Sequence, residues 1–408
     1  MQNYILNEGY QNNSFLFDKA KGSRINIKNK SLIDLSMCAG SLLLGHNHPI
    51  FKKSIKKFLN KNISNLASPN IYAKKYSKNL KKIIPFSKII FCNSGTEAVI
   101  KSLRLCKALS KRSKIAYVSG GWHGSTDQLL FKPDKYLKPI PISAGLSNEH
   151  LKNIVILPYN NIEKTKKILD KNRRKLSCVI VEPVQGSLPY EGVKKYLKLL
   201  ENFTKKNSVY LIFDEMITGL RTDCSSAQKH FNIKPDISIF GKCFGAGLPI
   251  GFITISKKVS NKMSKLKQKV FFGGTYSGNS IVAYVANEVL QYILKHKEKI
   301  FKDLENKSAL FENKLNKFFS SEKLDLKVYR FKSLIRLVYS KSHLKDRSSR
   351  DFFEKNKFSK IKRFKNYLKN QNIYLSASGL IFFSTAFSKS DLEYVIKKFE
   401  YGLIRYFK

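Results

Sequence analysis

The sequence predicts an α/β fold in which a mostly parallel sheet is covered by helices on both faces, beside a smaller α+β part. Two observations favour this prediction. From residue 88 onward, short runs made almost entirely of apolar residues alternate with stretches of helical periodicity. The chain also has 408 residues, 42% of them hydrophobic, so it can bury a large core and divide into more than one domain.

The elements follow one another in a regular order. Short strand-like runs at 24–27 and 32–37 precede the sequence Gly-His-Asn-His-Pro at 45–49. Helical periodicity is predicted for the segments 51–59, 73–83, 96–110, 162–172 and 196–206. The runs predicted as strands of the large sheet are four or five residues long and mostly apolar: 89–92, 115–118, 154–157, 178–181, 209–213 and 237–240.

The C-terminal part has a different pattern of predicted helices and strands. A long helical stretch at 280–319 leads to strand signals at 334–339 and 380–384, which is typical of a small α+β domain. We therefore expect three segments. Residues 1–50 pack with the small domain, residues 51–285 form the large domain, and residues 286–408 form the small domain.

Charge and cysteine content limit the classes of function. A net charge of +47 would attract nucleic acid, so a nucleic-acid-binding protein is the rival hypothesis. The lysines are spread over the whole length without a recognisable module, which favours a generally basic surface over a nucleic-acid interface. No apolar run is long enough to span a membrane, and no signal peptide is visible. Six scattered cysteines are typical of buried free thiols in the cytoplasm, with no disulfide and no metal site.

Lys242 has the most informative surroundings of any lysine in the chain. It directly follows the apolar run 237–240 and Gly241, and further glycines at 245, 247 and 251 let the backbone pass close to a flat ligand. A lysine amine at the end of a buried strand can attack a carbonyl and form a Schiff base. The alternative is an ordinary solvated lysine on a loop.

Three other strand ends have side chains suited to a ligand. Ser94, Gly95 and Thr96 open a predicted helix, where backbone N–H groups and the helix dipole can bind phosphate, although an ordinary helix cap is the alternative. Trp122, the single tryptophan, lies in a glycine-rich loop and can stack on a flat ring. Asp214 follows five apolar residues, and a protonated ring nitrogen would pair with its carboxylate.

Histidine 123, next to this tryptophan, has two interpretations. It can serve as an acid or base, or it can hold the geometry of the loop, and the second is the commoner role of a loop histidine.

These residues together meet the requirements of pyridoxal 5′-phosphate, because they provide a phosphate site, an aromatic ring that can stack, a carboxylate and a lysine at a strand end. The sequence also resembles the class III aminotransferases over nearly its whole length. The motifs with the order and spacing of that family are Asn93-Ser-Gly-Thr-Glu-Ala98, Trp122-His-Gly124, Glu182-Pro-Val-Gln-Gly186, Phe213-Asp-Glu215, Gly241-Lys242 and Gly274-Thr-Tyr-Ser-Gly-Asn279. Three further segments resemble the glutamate-1-semialdehyde 2,1-aminomutase branch: Leu44 to Pro49, Leu211 to Arg221 and Leu375 to Ala386.

The resemblance implies a pyridoxal-phosphate transferase of fold type I that works as a homodimer with shared active sites. Lys242 would bind the cofactor, Asp214 would pair with its ring nitrogen and Trp122 would stack on its face. The segment from Ser94 to Thr96 would hold the phosphate, and Thr275 would reach the phosphate of the neighbouring subunit. The implied activity is amino transfer between an amino acid or amine and an aldehyde or ketone, with intramolecular transfer as in the aminomutase as the alternative.

Two departures from the family bear on the substrate. Ser187 stands where the aminomutases have Asn and many ω-aminotransferases have Glu. The segment from Ser378 to Phe382 contains neither the acid of the aminomutases nor an arginine, so a carboxylate clamp is not evident in the sequence.

Overall fold

The computed structural model describes residues 16–27, 29–61, 63 and 68–408. The first fifteen residues of the predicted segment 1–50 therefore lie outside the described part of the chain. The strands, in chain order, are β1 Lys19–Lys21, β2 Arg24–Ile27, β3 Lys30–Asp34, β4 Lys88–Cys92, β5 Lys114–Val118, β6 Phe131–Pro133, β7 Pro139–Pro141, β8 Ile154–Leu157, β9 Leu176–Val181, β10 Tyr210–Asp214, β11 Ile237–Gly241, β12 Gly251–Ile255, β13 Lys327–Phe331, β14 Leu334–Val338, β15 Ile373–Tyr374 and β16 Leu380–Ile381.

The helices surround these strands. In chain order they are α1 Met37–Gly40, α2 Pro49–Leu59, α3 Ile71–Leu80, α4 Gly95–Ser110, α5 Asn148–Lys152, α6 Ile162–Asn172, α7 Lys194–Lys206, α8 Ala227–Phe231, α9 Lys257–Ser264, α10 Ser280–Lys295, α11 Lys297–Ser321, α12 Arg347–Glu354, α13 Phe358–Asn370 and α14 Lys389–Phe407. Short 3₁₀ turns occupy Lys242–Gly245 and Lys355–Lys357.

A seven-stranded sheet with the order β4-β12-β11-β10-β9-β5-β8 forms the centre of the large part of the molecule. Strands β8, β5, β9, β10 and β11 run parallel, and β12 lies antiparallel between β11 and β4. The predicted α/β fold is confirmed, and all six predicted strands are present. Strand β12 was missed because its glycine-rich approach resembles a loop.

The sheet is buried on both faces, as its apolar strands require. All six residues of β9 are buried. Val179 and Val181 belong to one apolar core, whereas Cys178 and Ile180 belong to another. Because successive side chains of a strand point to opposite faces, these two cores lie on opposite sides of the sheet. Each fully buried aliphatic side chain of this kind contributes about 1.5–3 kcal/mol.

One long predicted helix is in fact two. The segment 280–319 is divided at His296, which has φ −113° and ψ 19° and is shared as the boundary of α10 and α11. No proline or glycine marks this boundary, so the apolar periodicity continues through it and conceals the break.

Segments that are far apart in the chain meet in a second, smaller sheet. Strand β3 pairs with β2 and, in parallel, with β15 near the C-terminus. The predicted strand 32–37 ends early, at Asp34, because its carboxylate accepts hydrogen bonds from the backbone N–H groups of Ser36 (2.7 Å) and Met37 (3.1 Å) and turns the chain. Strands β13, β14 and β16 form a third sheet, in which the predicted strand 380–384 is only two residues long.

Among the described residues, no helix combines the length and the apolar character needed to cross a membrane. Of the six cysteine thiols that were predicted to be buried, four are buried, whereas Cys38 is exposed and Cys224 is partly exposed.

Candidate active site

Four strand ends converge on one edge of the large sheet. Asp214 is the last residue of β10, and Lys242 follows the last residue of β11. Ser94 lies two residues after the end of β4. Strand β12 runs the other way and begins at this edge, with Gly251 opposite both Gly241 and Cys92. This edge is the usual ligand position in an open α/β sheet.

Lys242 has an unusual backbone conformation. It is partly buried and has a φ of +47°, in the left-handed region that non-glycine residues rarely occupy. Gly241 before it is packed so closely that a Cβ atom there would lie 2.6 Å from Met216 Cε and 2.7 Å from the carbonyl oxygen of Ile250. The strand therefore ends in a fixed turn that presents Lys242, and such local strain is typical of functional positions.

Asp214 and His123 form a buried pair. The Asp214 carboxylate accepts a hydrogen bond from the backbone N–H of Met216 at 3.1 Å, and its Oδ2 lies 2.7 Å from His123 Nδ1. Both residues are almost completely inaccessible. His123 therefore holds the carboxylate in one orientation, and its own Nε2 is buried without a hydrogen-bond partner among the described residues.

A second buried acid, Glu182, fixes the loop with the tryptophan. Its two carboxylate oxygens accept hydrogen bonds from the backbone N–H groups of Trp122 (2.5 Å) and Gly186 (3.0 Å). Burial raises the pKa of Glu182, and the nearby charge of Asp214 raises it further, whereas His123 and the two N–H donors lower it. The Trp122 side chain remains 48% exposed and is available to a ligand.

The predicted phosphate cradle is the N-terminus of α4. Ser94 caps this helix, since its hydroxyl accepts a hydrogen bond from Glu97 N at 3.2 Å and its carbonyl accepts one from Ala98 N. The N–H groups of Gly95 and Thr96 have no acceptor within the helix, because they belong to its first turn. They provide donors for an anion together with the positive end of the helix dipole.

Two glycines make room beside this cradle. A Cβ atom at Gly124, which has a φ of +76°, would lie 2.3 Å from Thr96 Oγ1. A Cβ atom at Gly251 would lie 2.1 Å from the carbonyl oxygen of Ser94. Thr96 Oγ1 accepts a hydrogen bond from Ser125 N at 3.1 Å, so the loop after Trp122 is joined directly to the cradle.

Thr275 has a different position from the other predicted residues. It lies in an exposed turn that contacts α4 through a 3.4 Å hydrogen bond between Lys101 Nζ and Ser277 Oγ. Among the described residues, Thr275 has no hydrogen bond to Lys242 or Asp214. By contrast, Asp214, Lys242, Trp122 and residues 94–96 lie at one edge of the sheet.

Arginines of the C-terminal part border this edge, which the sequence did not indicate. Arg350 Nη1 donates to the carbonyl oxygen of Ser187, whose hydroxyl donates to the carbonyl oxygen of Gly120 at 3.2 Å. Arg336 donates to the carbonyl oxygen of Ser378. The segment from Ser378 to Phe382 therefore does have an arginine beside it, contributed by β14 rather than by the segment itself.

The residues at this edge fit pyridoxal phosphate. They provide an amine, a fixed buried carboxylate, an N–H-rich helix start and an accessible aromatic ring. The buried Oε1 of Gln185 also has no hydrogen-bond partner in the described ranges of the chain, so it can accept a hydrogen bond from a ligand hydroxyl.

Comparison with known proteins agrees with this site. A family model, "Aminotransferase class-III", matches residues 5–334, and the chain belongs to this family of pyridoxal-phosphate-dependent enzymes. Curated relatives include glutamate-1-semialdehyde 2,1-aminomutases. The protein from Methanosphaera stadtmanae is 30% identical over 98% of this chain and 94% of its own length. The protein from Thermodesulfovibrio yellowstonii is 31% identical over 94% of this chain and 90% of its own length.

Solved structures share the fold. An ω-transaminase from Sphaerobacter thermophilus superimposes with a TM-score of 0.88 at 22% identity and covers 95% of this chain and 90% of its own. A glutamate-1-semialdehyde aminomutase from Pseudomonas aeruginosa gives a TM-score of 0.85 at 19% identity, covering 95% and 87% respectively. These similarities confirm the fold and, with the family model, the predicted cofactor and class of reaction.

Proposed function

We propose that this enzyme transfers an amino group between separate donor and acceptor molecules, an amino acid or amine and an aldehyde or ketone. The observation that supports this proposal is the convergence of Lys242, Asp214 and the α4 cradle on one edge of the sheet. A lysine, a buried carboxylate and an anion site are the protein groups that pyridoxal-phosphate chemistry needs.

Each residue has a separate task in this proposal. Bound pyridoxal phosphate supplies a carbonyl carbon that accepts amino groups and a ring that spreads negative charge. Lys242 Nζ holds the cofactor and, once the amino substrate has displaced it, moves the proton at the reacting carbon. Asp214, held by His123, keeps the ring nitrogen protonated. Trp122 restricts the ring from one face, and residues 94–96 hold the phosphate.

We further propose a cytoplasmic homodimer with shared active sites. Thr275 is exposed, and its neighbours Phe271 and Tyr276 are 75% and 62% exposed, which is a surface that a second subunit can cover. From this position Thr275 would contribute to the phosphate site of the partner. The six free cysteines support a reducing compartment.

Replacing Lys242 tests this function. We expect Lys242→Ala to lose the visible absorbance of covalently held pyridoxal phosphate and to lose turnover on the order of 10³-fold or more, because the amine supplies both the attachment and the proton transfer. Borohydride reduction followed by mass spectrometry should place the cofactor on the Lys242 peptide of the wild type. Lys257→Ala, an exposed lysine at the start of α9, is the matched control and should behave as the wild type. Retention of the visible absorbance by Lys242→Ala would contradict the proposal.

The second candidate function is intramolecular amino transfer, because the aminomutase relatives are about 30% identical over nearly the whole chain. Incubation of the enzyme with glutamate 1-semialdehyde distinguishes the two. We expect turnover of other carbonyl compounds and no 5-aminolevulinate. Formation of 5-aminolevulinate at rates equal to or above those with other carbonyls would favour the aminomutase.

A further inference from the structure

A row of alternating charges borders the candidate active site. We name it the arginine ladder; its members, in spatial order, are Arg336, Glu354, Arg350, Asp351 and Arg347. Glu354 lies between two arginines, 3.8 Å from Arg336 Nη2 and 3.4 Å from Arg350 Nε. Asp351 also lies between two, accepting from Arg350 Nε at 3.0 Å and facing Arg347 Nε at 3.2 Å.

The ladder has an arginine at each end and is one carboxylate short of neutrality. Three guanidinium groups share two carboxylates, and the nearby Asp346 is engaged as the N-cap of α12, where it accepts from Ser349 N and Oγ at 2.9 Å. Lys365 adds a further cation, donating to the carbonyl oxygen of Ala377 at 2.8 Å.

The cations disfavour one another's charge. Burial lowers the pKa of Arg336 to about 10, and the charge of Arg350 contributes to this shift. Burial also lowers the pKa of Lys365 to about 8, and the charges of Arg336 and Arg350 lower it further. A bound anion would relieve this repulsion.

The two ends of the ladder differ in how firmly they are held. Arg336 has an 11% exposed side chain, and its Nε is buried and has no hydrogen-bond partner within the part of the chain that the structure describes. The Arg347 side chain is 42% exposed, and its ion-pair partner, Asp351, is itself 50% exposed and shared with Arg350. Arg347 can therefore exchange this partner for a ligand at small cost.

Both ends contact the wall of the candidate active site. A Cβ atom at Gly120, two residues before Trp122, would lie 2.9 Å from Arg347 Cβ. At the other end, Arg336 binds the carbonyl of Ser378, and the guanidinium carbon lies 3.8 Å from the Cβ position of Gly379. The neighbouring Leu380 reaches within 3.5 Å of the Cβ position of Gly186.

We propose that the arginine ladder binds a carboxylate of the substrate, at the end remote from the reacting carbon, with Arg347 as the principal contact and Arg336 as the second cation. This proposal rests on the proposed amino transfer and narrows its substrates to acidic amino or carbonyl compounds. A guanidinium group binds a carboxylate in a planar, two-point manner and gives stronger hydrogen bonds than a neutral donor.

Binding of an unreactive dicarboxylate tests the proposal without chemistry. The holoenzyme is titrated with glutarate, and with its neutral counterpart glutaramide, by calorimetry. We expect glutarate to bind. Arg347→Gln should weaken glutarate binding about tenfold to 100-fold, because one charge-assisted hydrogen bond is lost. Asp351→Asn removes a competing carboxylate from a half-exposed position and should strengthen glutarate binding. Arg363→Gln, an exposed arginine of α13, is the matched control and should change nothing.

A kinetic comparison separates the ladder from general damage to the fold. Succinic semialdehyde and butanal differ chiefly in a carboxylate, and the rate of their half-reactions with the amino form of the enzyme is measured. Arg347→Gln should raise the KM for the acidic aldehyde and leave the neutral one unchanged. Equal effects of Arg347→Gln on both aldehydes would overturn the inference. So would glutarate binding that is no tighter than glutaramide binding, or glutarate binding that Arg347→Gln does not change. Failure of the amino-transfer function itself would show separately, as a Lys242→Ala variant that keeps its bound-cofactor absorbance.

Discussion

The floor of the candidate site and its C-terminal border are built on different principles. The floor consists of strand ends, where Asp214 is held by two partners and Lys242 is set by a fixed turn. The border consists of the arginine ladder, whose outer member Arg347 is 42% exposed and has an exchangeable partner.

This difference separates cofactor chemistry from substrate choice. In the proposed mechanism, groups on the floor act on the cofactor and therefore on every substrate alike. Groups on the border are proposed to contact a part of the substrate that does not react, so they can change without altering the reaction. The sequence agrees with this division, since the family motifs at 93–98, 213–215 and 241–242 lie on the floor and the departures from the family, at Ser187 and from Ser378 onward, lie on the border.

Among the residues of the floor other than Lys242, Asp214 should show the largest effect when it is replaced by Asn. Losing the negative charge leaves the ring nitrogen without a charged partner, and kcat should fall on the order of 10²-fold or more for acidic and neutral substrates equally. Steady-state kinetics with both kinds of substrate measures this. Asp236→Asn, at the opposite edge of the sheet beside β11, is the control and should keep kcat. A loss confined to acidic substrates would contradict the separation of floor and border.

Gly124→Ala should weaken cofactor binding. A methyl group there meets Thr96 Oγ1 at 2.3 Å, so the cradle has to shift, and the dissociation constant of pyridoxal phosphate should rise about tenfold, a cost near 1.4 kcal/mol. Fluorescence titration of the apoenzyme gives this constant.

Gly145→Ala is a close control for that variant. Gly145 has a φ of +83°, similar to the +76° of Gly124, but a Cβ atom there meets no atom of the described residues within 4 Å. Both variants should lose roughly 1 kcal/mol of stability from backbone strain, and only Gly124→Ala should lose cofactor affinity. Equal cofactor affinities in the two variants would show that Thr96 does not border the phosphate.

The smallest expected effect is a pH dependence at the border. The charged groups around Lys365 are Arg336 and Arg350, which together with burial lower its pKa to about 8, and Glu354, which raises it. As the pH rises through 8, Lys365 loses its proton and its positive charge. The KM for succinic semialdehyde should therefore rise about twofold to fivefold between pH 7 and 9, the range of a partly exposed charge pair.

Lys365→Met should remove this dependence and give a raised KM at both pH values. The KM for butanal should not follow the ionisation of Lys365 in either protein. A wild-type KM for the acidic aldehyde that stays constant between pH 7 and 9 would exclude a role for Lys365 in anion binding.

The boundaries of elements were predictable where local signals were strong. The apolar runs before Asp214 and Lys242 predicted strands β10 and β11 within one or two residues, because buried parallel strands have apolar side chains on both faces. The division of the long helix at His296 was not predictable, since the residues on both sides continue one apolar period. Strand β12 was hidden for the opposite reason, because glycines precede it and weaken the strand signal.

By itself, the sequence determined the α/β fold, the family, the cofactor and the residues at the strand ends, because each of these is encoded by short contiguous patterns. Only the tertiary structure revealed the Asp214–His123 pair, 91 positions apart in the chain, and the two contacts of Glu182. The arginine ladder was likewise revealed only by the tertiary structure. Its arginines lie on β14 and α12, and the Ser378 segment that Arg336 contacts is 42 positions away, so only folding places a cation beside a segment that contains none.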